Sequence, residues 1–182
     1  MEDIPFNYTM LTVDTHLPQG YECKLCQNQH GSQFANSISC ASRQAAEFVE
    51  WIQEQKWYEN TSIVVVGDHL SMHDDFWNDL PADYERRKYN CFINAKTVHG
   101  ADKLNTKNRV FSSIDLFPTI LSSMGVEIEG NRLGLGVDLF SGEKTLAEEY
   151  GVSELEQELS RHSQYYNSVF IQNNSKYQEM FK

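Results

Sequence analysis

The sequence has no run approaching the roughly 20 apolar residues a bilayer-crossing helix needs, and its opening residues, Met1 to Asn7, lack the basic and apolar regions of a signal peptide. No segment of its own is therefore expected to sit in a membrane. A basic cluster is missing too. With 26 acidic against 15 basic side chains the formal charge is −11, a field that repels phosphate polymers and excludes a nucleic-acid module. An anionic substrate would need a local cation. Four cysteines are too few for a disulfide scaffold. There is no Gly-rich phosphate loop, no Gly-x-Ser-x-Gly elbow, and no nucleophile with a paired base. Internal repeats and low-complexity tracts are absent as well. What remains is a globular composition: 182 residues, 40% of them hydrophobic, enough for one domain to bury its own core but not for two full enzyme domains.

The pattern of apolar runs predicts an α/β chain. Tyr8 to Val13 is β-branched and aromatic, and it ends at Asp14-Thr15-His16 before a Pro-Gln-Gly turn, so it reads as a buried strand. A helix of about four turns follows, with Ala41, Ala45, Phe48, Val49 and Ile52 on the face that packs on a sheet. Trp51, Trp57 and Tyr58 read as part of that packing rather than as a sugar platform. Ser62 to Val66 then reads as a strand buried on both faces, ending at Gly67-Asp68-His69. Strand, helix and strand form a right-handed crossover with parallel strands, which delivers Asp14, His16, Asp68 and His69 to one carboxyl edge, where ligands bind in open α/β sheets. Further on, Tyr89 to Ala95 reads as a strand and Arg109 to Ser112 as a short extended piece. Asp115 caps a helix with Pro118 in its first turn, Phe117, Ile120, Leu121 and Met124 on its apolar face, and Gly125 at its end. Gly130 to Gly142 reads as a turn-rich loop or short hairpin. Ser153 with Glu156 forms a capping-box pattern for a last polar helix through about Tyr166.

Two residue groups carry chemistry. Asp68 and His69 offer an oxygen and a nitrogen donor on adjacent residues beyond a strand, suited to Zn²⁺ or Mn²⁺, yet two ligands are too few for a tight site. The plainer reading of the same pair is a turn cap, with Asp68 accepting from the following turn and His69 bonded to it. His16 can bind a phosphate or hydroxyl group or move a proton, or simply stabilise its turn. His73 falls in a polar loop and is left out of the site. Cys23-x-x-Cys26, His30 and Cys40 do not have zinc-knuckle spacing, since three residues separate Cys26 from His30 and nine separate His30 from Cys40. A disulfide between Cys40 and one of the two loop cysteines, or reduced thiols, remain open. Cys91 reads as a packed small hydrophobe.

At these residues the sequence resembles the C-terminal part of the sulfatase-like phosphoglycerol transferases, the family of lipoteichoic acid synthases and of membrane phosphoglycerol transferases that modify periplasmic glucans. The resemblance is carried by Val13-Asp14-Thr15-His16 with Pro18 and Gly20-Tyr21, by Ser39-Cys40, and by Val64-Val65-Val66-Gly67-Asp68-His69-Leu70. Ile114-Asp115-Leu116-Phe117-Pro118-Thr119-Ile120 and Leu133-Gly134-Leu135-Gly136-Val137 extend it to about Gly142.

This resemblance implies an alkaline-phosphatase-like α/β fold, mainly a parallel sheet with helices on both faces, present here as a partial domain. Residues about 5–142 would be the core and about 145–182 a C-terminal helical extension. It implies transfer of glycerol phosphate from phosphatidylglycerol to a glycan or polyglycerolphosphate acceptor of the cell envelope, through a phospho-threonine intermediate. Asp68 and His69 match two metal ligands, with Mn²⁺ implied first and Mg²⁺ or Zn²⁺ as alternatives. His16 matches the histidine that contacts the phosphoglycerol group. No residue here matches the ligating glutamate or the nucleophilic threonine, so the chain carries no catalytic residue of its own. It reads as a C-terminal fragment of a membrane-anchored enzyme on the extracellular face, inactive by itself and lacking the N-terminal half of its catalytic domain. A silent binding module, a sulfatase and a phosphoethanolamine transferase are the competing readings. The implied outer compartment favours oxidation of Cys40 with Cys23 or Cys26.

Overall fold

The computed structural model describes residues 4–16, 18–73, 75–78, 80–99 and 107–172. The last ten residues of the expected C-terminal extension lie outside them. The chain divides into two compact units, residues 1–95 and 96–182.

In the first unit the dominant element is helix α1 (Gln33–Gln53), 21 residues long. It starts at Ser32, whose hydroxyl accepts the Ala35 N–H at 3.2 Å and so satisfies one of the open donors of the first turn. The helix thus begins well before Ser39-Cys40, which sit inside it. Its buried residues also differ from the predicted stripe. Phe34, Asn36, Ser37 and Cys40 are buried in the N-terminal half, whereas Ala45 and Phe48 are exposed and only Ile52 of the expected face is fully covered. Trp51 and Trp57 are likewise not sheet packing: they form a half-exposed cluster with Phe48 and Phe6, with ring centroids 5.8–6.1 Å apart.

Strand β1 (Ile63–Val66) forms where four β-branched residues follow one another. It pairs with β2 (Asn90–Ile93) in antiparallel register, Ile63 opposite Ile93 and Val66 opposite Asn90. Asn94 ends β2 at φ +56°, and its amide donates to the carbonyls of Tyr58 at 2.8 Å and Thr61 at 2.9 Å, clamping the turn that feeds β1. The expected first strand, Tyr8 to Val13, makes no strand pairing among the described residues, and Tyr8, Met10, Leu11 and Val13 are 54–78% exposed. Both ladders among the described residues are antiparallel, so the parallel crossover is not formed by these residues. A β-branched run sets a backbone preference, but a strand also needs a neighbour to satisfy its N–H and C=O groups. For the same reason β1, with one neighbour, is half-buried rather than buried on both faces.

The second unit is built around helix α2 (Leu116–Ser123), entered through a 3₁₀ turn at Ser113–Asp115. Arg109 to Ser112 is not a strand among the described residues. Asp115 does not cap α2 with its side chain. Its Oδ2 accepts the Ser112 N–H at 2.9 Å, and its Oδ1 accepts the Val137 N–H at 2.9 Å. Strands β3 (Arg132–Leu133) and β4 (Gly136–Val137) form the short hairpin, with Gly134 at φ +62° in its turn. Gly136 has to be glycine, because a Cβ there would run into the Ile114 carbonyl. The face of α2 that this packing buries is Pro118, Thr119, Ser122 and Ser123, while Phe117 and Met124 of the predicted apolar face are exposed. Helix α3 (Leu146–Tyr150) is capped by Thr145 with Glu148, and α4 (Val152–Leu159) follows from Gly151, so Ser153 lies inside a helix rather than at its cap. A short helix α5 (Gln164–Tyr166) and a π turn at Asn167–Gln172 close the described chain.

Candidate functional site

The segment bearing His16 is a tight turn seated on the start of α1. His16 donates its N–H to the Val13 carbonyl at 3.0 Å, Gly20 donates to His16 O at 2.9 Å, and Tyr21 donates to Asp14 O at 2.7 Å. Gly20 stands at φ +68°, and a Cβ there would meet Ser37 Cβ at 2.7 Å and Asp14 O at 2.8 Å. No side chain fits that contact without displacing the helix or the turn. Gln33 of α1 adds a hydrogen bond to Gly20 O at 3.0 Å.

The next loop, 22–30, is organised by a residue the sequence reading passed over. Asn36 is 2% exposed, and its Oδ1 accepts the N–H groups of Gln29 and His30 at 3.1 and 2.8 Å. Its Nδ2 donates to Glu22 Oε1 and Asn28 Oδ1, both at 2.8 Å. All four hydrogen-bonding positions of the amide are therefore used. Its only sequence signal is an asparagine at the start of a helix, in a place where a polar residue faces inward. The same loop brings Cys23 and Cys26 against Cys40 on α1. Cys26 and Cys40 form a disulfide, and Cys23 keeps a free thiol.

Asp68 and His69 follow β1 directly. The ladder runs one bond further, Gly67 N–H to Tyr89 O at 2.8 Å. A Cβ at Gly67 would meet Lys88 and Tyr89 at ordinary contact, 3.6 Å, so close approach is not what this glycine provides. Asp68 Oδ1 accepts the His69 N–H at 2.8 Å, and Lys88 Nζ donates to the Asp68 carbonyl at 3.3 Å. The His69 backbone N–H holds the Asp68 carboxyl below its ordinary range, helped by the charge of Lys88. His69 Nδ1 lies 2.8 Å from the Leu70 carbonyl. A proton on Nδ1 makes that bond and leaves the Nε2 lone pair free, 3.4 Å from Asp68 Oδ2. This is how a metal-binding imidazole is usually oriented: one nitrogen tied to a backbone carbonyl, the other turned to the ion. The pair fits two positions on one cation. Among the described residues no third carboxylate or imidazole joins it to form a metal-holding group.

The structure therefore brings Asp68 and His69 together, and it places His16 on the α1-seated turn of the same unit. A second histidine–carboxylate pair lies in the other unit, His99 Nε2 at 2.8 Å from Asp138 Oδ2. Asp138 is 1% exposed and also accepts the Phe140 N–H, so this pair secures the loop after β4.

The Sulfatase family matches residues 2–126. Phosphoglycerol transferase I of Citrobacter koseri is 31% identical over 144 residues, covering 76% of this chain and 18% of that protein. Phosphoglycerol transferase I of Salmonella choleraesuis is 30% identical over the same length and shares. The chain thus spans about a fifth of the length of the curated relatives it matches. No solved structure matches it. Among the described residues no helix is long and apolar enough to cross a membrane. The matched span contains the His16 turn, β1 with Asp68 and His69, and helix α2, and on that ground the chain belongs to the sulfatase family, whose domain has an alkaline-phosphatase-like fold and is generally metal-dependent.

Proposed function

We propose that these 182 residues are the portion of a phosphoglycerol transferase that holds two ligands of its catalytic metal and one substrate contact. The reaction is transfer of glycerol phosphate from phosphatidylglycerol to a cell-envelope acceptor, a glycan or a polyglycerolphosphate chain, on the extracellular face of the membrane. The observation that carries this reading is the Asp68–His69 pair, with Nε2 and Oδ2 3.4 Å apart and Nδ1 2.8 Å from the Leu70 carbonyl. The roughly 30% identity to phosphoglycerol transferases supplies the reaction class. When bound, a divalent ion, Mn²⁺ first among the candidates, would neutralise charge on the transferring phosphoryl group. Asp68 contributes a charged oxygen and His69 a neutral nitrogen to that ion. His16, on a turn whose backbone bonds are internal, positions the phosphoglycerol group.

The ligating glutamate and the nucleophilic threonine come from sequence beyond these residues, so the chain alone neither transfers nor hydrolyses glycerol phosphate. In the complete catalytic domain, Tyr8 to Val13 becomes a strand beside β1, the sheet is mainly parallel, both compact units belong to one domain, and His16 comes within about 12 Å of His69, the span of a small-ligand site. The exposed apolar side chains of Tyr8 to Val13 support that placement, because they are the surface a neighbouring strand would cover.

The test is Mn²⁺ binding followed by electron paramagnetic resonance. Weak binding is expected, reduced at least about tenfold by either Asp68→Asn or His69→Ala, since each removes one of two donors. Affinity unchanged by both variants would remove the metal role from this pair.

A further inference from the structure

The three sulfurs at the start of α1 have no part in the reading above, and the odd third cysteine is unexplained by a structural disulfide. Cys23, Cys26 and Cys40 Sγ all lie within 4.8 Å of one another. Cys26 and Cys40 are bonded, with Cα atoms 5.0 Å apart, and the free Cys23 Sγ is 3.7 Å from Cys26 Sγ. Cys23 is half-buried on a turn, whereas Cys40 is 4% exposed inside a helix.

We propose that this cluster is a thiol–disulfide exchange site. The Cys23 thiolate attacks Cys26 Sγ, a Cys23–Cys26 bond forms as the Cys26–Cys40 bond breaks, and the electron pair leaves on Cys40. The proton lost from Cys23 goes to solvent, and one from solvent returns to Cys40. Three sulfurs enter and three leave at the same total oxidation state, so no outside oxidant or reductant is needed.

Donors face both ends of the exchange. One Gln44 amide nitrogen faces the entering and the departing sulfur, 3.9 Å from Cys23 Sγ and 3.3 Å from Cys40 Sγ. Arg43 Nη2 adds a cationic donor 3.9 Å from Cys40 Sγ. The Leu25 N–H points at Cys23 Sγ at 3.4 Å. Donors of this kind stabilise negative charge on a departing sulfur and so favour the release of Cys40. Displacement runs along the S–S axis, which would set Cys23 and Cys40 Sγ about 5.7 Å apart. Cys23 Sγ must therefore swing around Cys26 Sγ by about 4 Å to reach that line, a movement of a loop segment that is neither helix nor strand. The two isomers differ in what they tether. Cys26–Cys40 staples the loop to α1, whereas Cys23–Cys26 closes the loop on itself and leaves no covalent tie from it to α1.

Trypsin separates the isomers because Lys24 falls between Cys23 and Cys26, and Arg43 follows Cys40. In one isomer the disulfide is internal to peptide 25–43; in the other it joins that peptide to the one ending at Lys24. The chain, never reduced, is held folded at neutral pH for hours, quenched in acid, unfolded, blocked with a maleimide and mapped by mass spectrometry. Both linkages are expected, within about tenfold of each other since the same three sulfurs share the same donors. Cys40→Ser should give only the cross-peptide linkage, and Cys23→Ser only the internal one. An internal disulfide alone in the wild-type chain, with Cys23 always the blocked thiol, would overturn the proposal. Three blocked thiols released together with one bound zinc per chain would overturn it too, in favour of a metal site.

Discussion

Arg109 grips Glu148 with two parallel hydrogen bonds, Nε to Oε1 at 2.7 Å and Nη2 to Oε2 at 2.9 Å, across 39 residues of chain. The guanidinium side chain is 5% exposed, and its remaining donors reach the carbonyls of Leu139, Ser141 and Glu143. One side chain thus ties the approach to α2, the loop after β4 and the start of α3. Replacing Arg109 by Ala should cost about 3 kcal/mol, because it leaves Glu148 charged, largely buried and unpaired. Thermal unfolding of the second unit reads the loss; a Tm within a degree of wild type would show that the pair contributes nothing.

The same pair makes stability depend on acid. The Arg109 hydrogen bond holds the Glu148 carboxyl below its ordinary range, overcoming the opposing effect of burial. A carboxyl whose folded pKa is depressed contributes stability above its unfolded pKa and loses it as pH falls through the folded value. Stability should therefore decline as pH drops through and below the usual glutamate range, more steeply than in Glu148→Gln. Denaturant midpoints measured from pH 6 down to 3 check this, and parallel curves for the two proteins would refute it.

Gly20 and Gly67 flank equivalent motif residues but should respond oppositely to alanine. Gly20→Ala meets positive φ and contacts near 2.7 Å, so a loss of about 1–3 kcal/mol is expected. Gly67→Ala meets only ordinary 3.6 Å contacts and should change stability by less than about 0.5 kcal/mol. Denaturant unfolding of both variants decides it, and equal effects would contradict the turn geometry.

Asp115→Ala removes the acceptor for the Ser112 and Val137 N–H groups, the second of which is fully buried. An orphaned buried donor costs about 1–3 kcal/mol. Amide exchange at Val137 should accelerate accordingly, and unchanged protection would show that another acceptor takes over.

The motifs were legible because they are local. Gly67-Asp68-His69 after a β-branched run, and the proline and glycine that bracket α2, announce themselves within a few residues. Chain direction and burial were not. Tyr8 to Val13 has a strand's composition, yet its pairing depends on a neighbour that no local pattern specifies. The inward face of α2 is not legible in an apolar pattern, because Thr119 on it and Asp115 just before it are buried by hydrogen bonds they accept from the loop after β4 and from β4, the Leu139 and Val137 N–H groups. Asn36 escaped notice for the same reason: its value lies in four partners gathered from the loop before it, and composition does not show them.

The most direct test of the central claim is turnover of a fluorescent phosphatidylglycerol in the presence of Mn²⁺. The 182 residues alone should show none, since removing even one member of such a catalytic unit costs orders of magnitude in rate. Joined to a relative's preceding segment carrying the threonine and the glutamate, they should release labelled diacylglycerol, and His69→Ala should abolish that release. Metal-dependent turnover by the 182 residues alone, lost in His69→Ala, would mean that the chain holds its own nucleophile and would contradict the account.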